Sequence, residues 1–398
     1  MSKSFKVKGF FKDIGGAGRV TKLRREKFQN ASPECRQQDP IRALADALHP
    51  GEMKLRLVSV REASPTARTF KFQPVEGRLP VFQSGQYASF RLKIGKSILT
   101  RPYSISSAPW EALGENGFFE ITVRRNRSYL VPDYLFDQVK VGDVLDGSLA
   151  FGSFYWEPLR DSKNIVALAG GSGIAPFHSM AKEIAYGKMK DCRLTILYGS
   201  MKADDIVLKD ELDRIAADCD RVKIVHVLSD EPDWLGEKGF LSREIIEKYA
   251  GDDPTYFFCG PFPMYRFVAK TMEEMGVARR RFRCDVINNP ADVTLLPGYP
   301  EGAEERTYQI TVLRGVQQDV ITSSGRESVA VALERAAIAV DTHCRNGECG
   351  FCRSQLISGD VFVSPLGDGR RLMDKEMGWF HPCSSWPLSD LTIRIPIM

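Results

Sequence analysis

The chain has 398 residues, 43% of them hydrophobic and 27% charged, a balance usual for a folded globular protein. Its length fits two to four domains at roughly 100–200 residues each. The formal net charge of +4 is too small to argue for nucleic acid, and no long apolar run suggests a membrane span.

The first segment, residues 1–50, differs from the rest. Residues 1–30 hold nine basic and two acidic residues, a net charge of +7, so the remaining 368 residues carry −3. The start, MSKSFKVKGFFKD, has scattered charges and no apolar stretch of a secretory signal, so a cytoplasmic location is expected. This basic extension reads as a solvated tail or flap, or as a docking arm for an acidic partner. Gly15-Gly-Ala-Gly18 follows no strong strand and is not read as a phosphate loop. Ile41–Leu48 has the pattern of a short helix.

Residues 51–160 alternate like short strands: Lys54–Val60, Thr69–Phe72, Tyr87–Leu92 and Phe119–Val123. Turn signals at Ser84-Gly85 and Val141-Gly-Asp143 separate such runs, which predicts a small antiparallel β-barrel. Within it stands Arg101-Pro102-Tyr103-Ser104. Alone, four such residues also suit a surface turn. In this setting they resemble the R-x-Y-S flavin signature of the ferredoxin–NADP reductase superfamily. The resemblance implies that Tyr103 covers the flavin ring, Ser104 lies near its N5 edge and Arg101 pairs with phosphate, as a guanidinium does well. Phe82–Tyr87 and Gly152-Ser153-Phe154 match two further spots of that barrel. One departure concerns the segment that holds the FAD pyrophosphate at a helix start in this family. Tyr129 and Pro132 stand at its usual Gly and Ser positions, so Arg124, Arg125 and Arg127 would have to compensate. FAD is therefore the expected flavin, with FMN as the alternative.

Residues 161–288 open with a buried-strand run, Asn164–Ala169, then Gly170-Gly171-Ser172-Gly173-Ile174-Ala175-Pro176 and a helical pattern over Phe177–Ile184. Strand, glycine loop and proline at a helix start form an anion cradle. A lone glycine loop is weak evidence, but G-x-G-x-x-P after a strand is what the same superfamily shows for NAD(P)H. Leu194–Gly199 is a second strand ending in a loop, and Tyr256–Pro261 a third ending in Cys259-Gly260-Pro261. Ligands bind at the carboxyl ends of such parallel strands. The resemblance puts Cys259, Gly260 and Pro261 at the nicotinamide; the plainer reading of Cys259 is a buried structural thiol. Lys202 would favour an NADPH phosphate, whereas Asp204 and Asp205 would favour NADH.

Residues 289–305 read as a linker. Residues 306–398 contain Cys344, Cys349 and Cys352 in C-x4-C-x2-C spacing, with Cys383 following after 30 intervening residues. That is the plant-type 2Fe-2S ligand spacing. Gly347 and Gly350 suit a tight loop that needs positive φ and close backbone approach. Zinc is the rival, but it usually draws on two short knuckles rather than three cysteines in one loop. Tyr308–Leu313 and Leu391–Ile395 alternate as strands. Ser324–Glu327 has the form of a capping box before a helix over Val329–Ile338. This order resembles the β-grasp fold of plant-type ferredoxins. Nine cysteines, an odd number, argue against a secreted disulfide scaffold; Cys35, Cys192, Cys219 and Cys284 have no assigned role.

The expected whole is multidomain: an antiparallel β-barrel flavin domain, an α/β parallel-sheet nicotinamide domain and a β-grasp ferredoxin domain. A hydride carries two electrons, a 2Fe-2S cluster accepts one, and flavin can mediate between them. The resemblance, over residues 51–398, is to reductase components of oxygenases. It implies an NAD(P)H:acceptor oxidoreductase serving a separate electron-acceptor protein. A reductive activator of a corrinoid or other anaerobic enzyme, and a redox-sensing module without turnover, are the alternatives.

Overall fold

The computed structural model describes residues 10–31, 39–48, 51–125, 130–286, 290 and 292–396. The chain divides into two compact units, Met1–Asp46 and Ala47–Met398. The first carries α1 (Phe10–Gln29) and most of α2 (Pro40–Leu48). Gly15, Gly16 and Gly18 lie inside α1, each at a cost of about 1 kcal/mol to a helix. Their composition hides a helix, but the reading that they form no strand-to-loop phosphate site agrees with this placement. Among the described residues, no helix is long and apolar enough to cross a membrane.

The second unit holds three sheets in succession. β1 (Met53–Ser64), β2 (Ala67–Pro74), β3 (Tyr87–Ile94), β4 (Ser97–Ser104), β5 (Phe119–Arg124) and β6 (Val144–Phe151) pair antiparallel in the order β4-β3-β6-β1-β2-β5. An Ile105–Ile121 bridge just after β4 ties the two outer strands, β4 and β5, together and brings the sheet round toward a barrel. Alternation turns Leu55, Leu57, Phe70, Phe72, Phe90 and Phe119 inward. The Phe72 ring lies 4.9 Å from Phe90 and 5.6 Å from Phe119. Burial of each such side chain contributes roughly 1.5–3 kcal/mol. Helix α3 (Leu130–Asp137) precedes β6.

The second sheet runs β10-β9-β8-β7-β11-β12, with parallel pairing throughout. Its strands are β7 (Asn164–Gly170), β8 (Arg193–Ser200), β9 (Val222–Leu228), β10 (Glu237–Lys238), β11 (Thr255–Gly260) and β12 (Phe282–Val286). Helices α4 (Ala175–Tyr186), α5 (Lys209–Asp218), α6 (Arg243–Ala250) and α7 (Phe262–Glu274) connect them. The apolar strands β7 and β11 are almost wholly buried, as expected of a sheet covered on both faces. Strand order reverses between β7 and β11. That places the carboxyl ends of these two strands at the switch point where open α/β sheets bind ligands.

The third sheet is β14-β13-β19-β15-β17. It comprises β13 (Thr307–Arg314), β14 (Gln317–Ser324), β15 (Ser354–Ser358), β17 (Trp379–Phe380) and β19 (Leu391–Arg394). β13 and β19 pair parallel, and the other neighbours antiparallel. Helix α8 (Val329–Arg335) packs Val329, Ala332 and Leu333 onto it. The short β16 (Val361–Val363) and β18 (Ser385–Pro387) pair separately, and α9 (Leu372–Glu376) lies between β16 and β17 in the chain. Sequence periodicity carried α8 to residue 338, but it ends at Arg335, and Ala337 has φ +58°. Glu327 does return to the Ser324 N–H at 3.0 Å, while Ser328 is the helix N-cap. The connector is packed, too. Val293 and Leu296 are buried with Phe262 and Trp386, and the Tyr299 hydroxyl donates to the Gly325 carbonyl at 2.9 Å.

Candidate functional site

The Arg101–Ser104 motif forms the last residues of β4, so it is strand rather than surface turn. Tyr103 pairs with Ala88 and Ser104 with Tyr87. Tyr103 packs edge-on against Phe90 at 6.2 Å, and burial pushes its phenol well above the usual range. Arg101, Pro102, Tyr103 and Ser104 line a cavity of about 1040 Å³. Gly152 and Ser153 lie on its wall. Gly152 has φ +95°, and a Cβ there would meet the Tyr87 ring at 3.0 Å, so the close approach requires glycine.

The barrel's basic residues are tied in different ways. Arg101 donates to the Thr100 carbonyl at 2.8 Å and meets Glu334 of α8 at 3.2 Å. Burial lowers its pKa, and Arg345 adds to that effect. Arg124 lines the cavity beside Gly171. It pairs with Asp205 and donates to the Thr66 hydroxyl at 3.0 Å. Arg125 is drawn away to Asp133 and Asp137 of α3, at 2.8 and 2.6 Å. Pro132 lies in the first turn of α3 on the cavity wall. Tyr129 and Arg127 fall outside the described residues.

The glycine loop leaves β7 and turns through a short 3₁₀ segment, Gly171–Ile174, into α4. Pro176 is buried in the first turn of α4. Gly170 and Gly171 line the same cavity. Gly173 does not; a Cβ there would run into the Cys259 carbonyl, so it lets the loop lie on β11. Gly199 pairs with Gly170 across β7 and β8. Pro261 and Phe262 reach the cavity from the end of β11. Gly260 lies just before them, and a Cβ there would come 3.4 Å from the Gly170 nitrogen. Cys259 has no exposed surface, and burial raises its thiol pKa well above the ordinary value.

Sequence reasoning missed several neighbours. Tyr198 donates to the Gly171 carbonyl at 2.8 Å and so fixes the loop. Cys284 and Asp285 of β12 lie on the cavity wall; their strand is short and lacks a motif, and only its parallel register with β11 brings them in. Asp285 has its pKa raised to about 7 by burial, then by the nearby Glu348 and Cys344 charges. Asp205, which would oppose an NADPH phosphate, has its carboxylate on Arg124, on Thr66 at 2.6 Å and on Ser64 at 3.0 Å. Cys192 and Cys219 are core thiols.

The four late cysteines converge. The Cys349 N–H donates to the Cys344 sulfur at 3.4 Å, and the Cys352 and Cys383 sulfurs are 3.4 Å apart. The thiols of Cys349 and Cys383 donate to Cys344, holding its pKa far below the usual thiol range, whereas those of Cys349 and Cys383 rise. Gly347 and Gly350 have φ +90° and +76°, the left-handed turn the spacing required. A Cβ on Gly347 would strike the Gly367 carbonyl and the Ser384 hydroxyl. Sulfur donors in one loop plus a lone partner fit a 2Fe-2S group. Cys344 and Cys383 also line the 1040 Å³ cavity. Between barrel and loop, the His343 ring lies 4.7 Å from Phe151 and 4.0 Å from Phe351.

Comparison with known proteins agrees with this arrangement. Residues 54–156 match the oxidoreductase FAD-binding domain, 167–270 the oxidoreductase NAD-binding domain and 313–387 the 2Fe-2S iron-sulfur cluster binding domain. The chain is therefore a flavin- and nicotinamide-dependent oxidoreductase with an iron–sulfur domain. It belongs to the ferredoxin–NADP reductase superfamily. It is 30% identical over 234 residues to ferredoxin–NADP reductase B of Sorangium cellulosum, covering 56% of this chain and 93% of that one. It is 25% identical over 360 residues to the glycine betaine monooxygenase reductase subunit of Chromohalobacter salexigens, covering 86% and 95%. Phthalate dioxygenase reductase shares the fold with a TM-score of 0.62 and 20% identity, covering 87% of this chain and 98% of that structure.

Proposed function

We propose that this chain takes electrons from NADH or NADPH and delivers them one at a time to a separate oxygenase component. One observation carries the reading: a single cavity is lined by Tyr103 and Ser104, by Gly170 and Pro261, and by Cys344 and Cys383. The names of the monooxygenase and dioxygenase reductases to which the chain is similar support an oxygenase as acceptor. Bound FAD supplies a two-electron acceptor that releases electrons singly, and a bound 2Fe-2S group supplies a one-electron relay.

In this reading, residues 51–160, 161–288 and 306–398 are the flavin, nicotinamide and ferredoxin modules. Residues 289–305 connect the last two, and residues 1–50 are an appended basic arm. Tyr103 and Ser104 form the ring pocket, Arg101 binds flavin phosphate, and Gly152, Ser153 and Arg124 shape the rest of the flavin site. Gly171, Gly173, Pro176 and Gly199 form the nucleotide cradle. Gly260 and Pro261 open the nicotinamide end, backed by the neutral, buried Cys259 thiol. Cys344, Cys349, Cys352 and Cys383 ligate the cluster. Phe154 joins Tyr103 on the wall of the same cavity.

Anaerobic addition of NADH tests this directly. Flavin and iron–sulfur absorption should both bleach, and the cluster should give a low-temperature spin-resonance signal. Flavin reduction with a silent cluster would overturn the internal route. Reconstitution with a purified oxygenase component should couple NADH oxidation to product. Transfer to cytochrome c alone, with no oxygenase supported, would overturn the choice of acceptor.

A further inference from the structure

Phe151 is the last residue of β6, and the backbone around it is built to aim its ring. β6 pairs with β3 through a register shift between Tyr87 and Ser89, and Ala150, just before Phe151, takes φ +67°. A residue other than glycine is costly in that left-handed region and persists where its neighbours enforce it. Bulges of this kind re-aim a side chain. The enforcing neighbour is Gln86, whose amide donates to the Ala150 carbonyl at 3.0 Å and to the Gly152 carbonyl at 3.1 Å, one on each side of Phe151. The ring so aimed meets two rings of the cluster loop. It lies 4.7 Å from His343, which precedes Cys344, and 5.8 Å from Phe351, which precedes Cys352; the two loop rings are 4.0 Å apart. Phe151 thus sits against both ends of the segment that carries Cys344, Cys349 and Cys352. The same ring is 5.8 Å from Tyr87. Tyr87 pairs with Ser104 and lines the cavity with Ser104, Gly152 and Ser153.

We propose that Phe151 is a positioning residue that clasps the cluster loop to the wall of the flavin pocket and so fixes the spacing and orientation of the two sites. This rests on the reading of the cavity as the flavin site and of the four cysteines as cluster ligands. Phe151 is not on the cavity wall, and its ring has no need to carry the electron. Single-electron transfer falls off steeply with separation, so a loop held at both ends keeps that step fast. Aromatic pairs contribute beyond the area they bury, and the braced backbone keeps the middle ring in place. Ser97 and Arg101 tie the barrel to Glu334 of α8; the clasp acts on the ligand loop itself.

The test uses full-length protein carrying flavin and cluster. Phe151→Ala should keep the wild-type cluster spectrum and the wild-type rate of flavin reduction by NADH in rapid mixing. Passage from flavin to cluster should slow about tenfold, roughly the worth of two ring contacts. Geometry is read separately, by spin resonance on protein partly reduced with dithionite. The magnetic interaction between flavin and cluster should be well defined in wild type, and weaker and spread in Phe151→Ala. Phe151→Tyr, which keeps the ring, should restore both readouts. Phe351→Ala should repeat the effect, and the double variant should slow transfer by less than the product of the two single effects, because both break one clasp. If Phe351→Ala lacks its cluster, His343→Ala takes its place. Wild-type transfer and magnetic interaction in Phe151→Ala, or single effects that multiply, would overturn the clasp. Slower flavin reduction by NADH in Phe151→Ala would do the same, since that is what a merely structural residue of the barrel predicts. A wild type in which NADH reduces flavin while the cluster stays silent overturns the underlying route instead; the magnetic interaction, set up by dithionite, still decides the clasp.

Discussion

The barrel meets its two neighbours in contrasting ways. Toward the nicotinamide module it forms a dense polar seam. Arg61 pairs with Glu211, Lys182 with Glu111 at 2.5 Å, and Arg124 with Asp205. The Ser179 hydroxyl donates to the Ser107 carbonyl at 2.6 Å, and His178 meets the Ser106 carbonyl at 2.8 Å. Toward the ferredoxin module the polar contacts centre on Glu334, with an aromatic set of Phe151, His343 and Phe351 beside it. The difference matches the two transfers. A hydride moves only between atoms in near contact, so that seam must fix geometry. A single electron passes without such contact, so fewer bonds suffice on the other side.

The largest expected effect lies on the ferredoxin side. Cys349→Ser should abolish the cluster spectrum while NADH still reduces flavin in rapid mixing; loss of flavin reduction in the folded variant would show that the two sides are not separable. Cys344, Cys352 and Cys383 should behave alike. On the nicotinamide side, Gly173→Ala forces a Cβ into the Cys259 carbonyl. It should cost about 1–3 kcal/mol in denaturant unfolding and slow flavin reduction by NADH, with the cluster spectrum unaltered.

A smaller effect belongs to Glu211. Burial opposes its charge, but His178, Arg61 and Lys182 hold its pKa below the ordinary glutamate value. A depressed carboxylate stabilises the fold above its unfolded pKa, near 4.5, and that contribution is lost as pH falls through the folded value. Because the side chain is 30% exposed, Glu211→Gln should cost only about 1 kcal/mol at pH 7. Its difference from wild type should vanish in strongly acidic urea melts. Smallest of all, Asp205→Asn should leave the ratio of kcat/KM for NADH and NADPH within about twofold, since its carboxylate is committed to Arg124 and Thr66. An affinity switch toward NADPH would mean that Asp205 faces the nucleotide after all. Each kcal/mol corresponds to roughly a fivefold change in an equilibrium.

What could be read in advance followed from how local each feature is. The cluster loop lies within one short stretch, so spacing and two glycines announced it. The strand–glycine–proline turn was legible for the same reason. Arg101 was legible as a residue but not in its partnership, because Glu334 is 233 positions away and sits in an ordinary helical pattern. The partners of Asp205 were not legible, because a sequence position after β8 does not tell that its carboxylate meets Arg124 and Thr66 of the neighbouring barrel. Helix α1 was hidden by its three glycines.

The packed connector has a further consequence. A ferredoxin module on a free tether would spend its time sampling a volume set by tether length, and its encounter rate with the flavin would follow from that effective concentration. Here Val293, Leu296 and Tyr299 hold the connecting segment against both neighbours. Internal transfer is then not gated by tether motion, and diffusion enters the cycle only when the nicotinamide comes and goes and when the outside acceptor arrives.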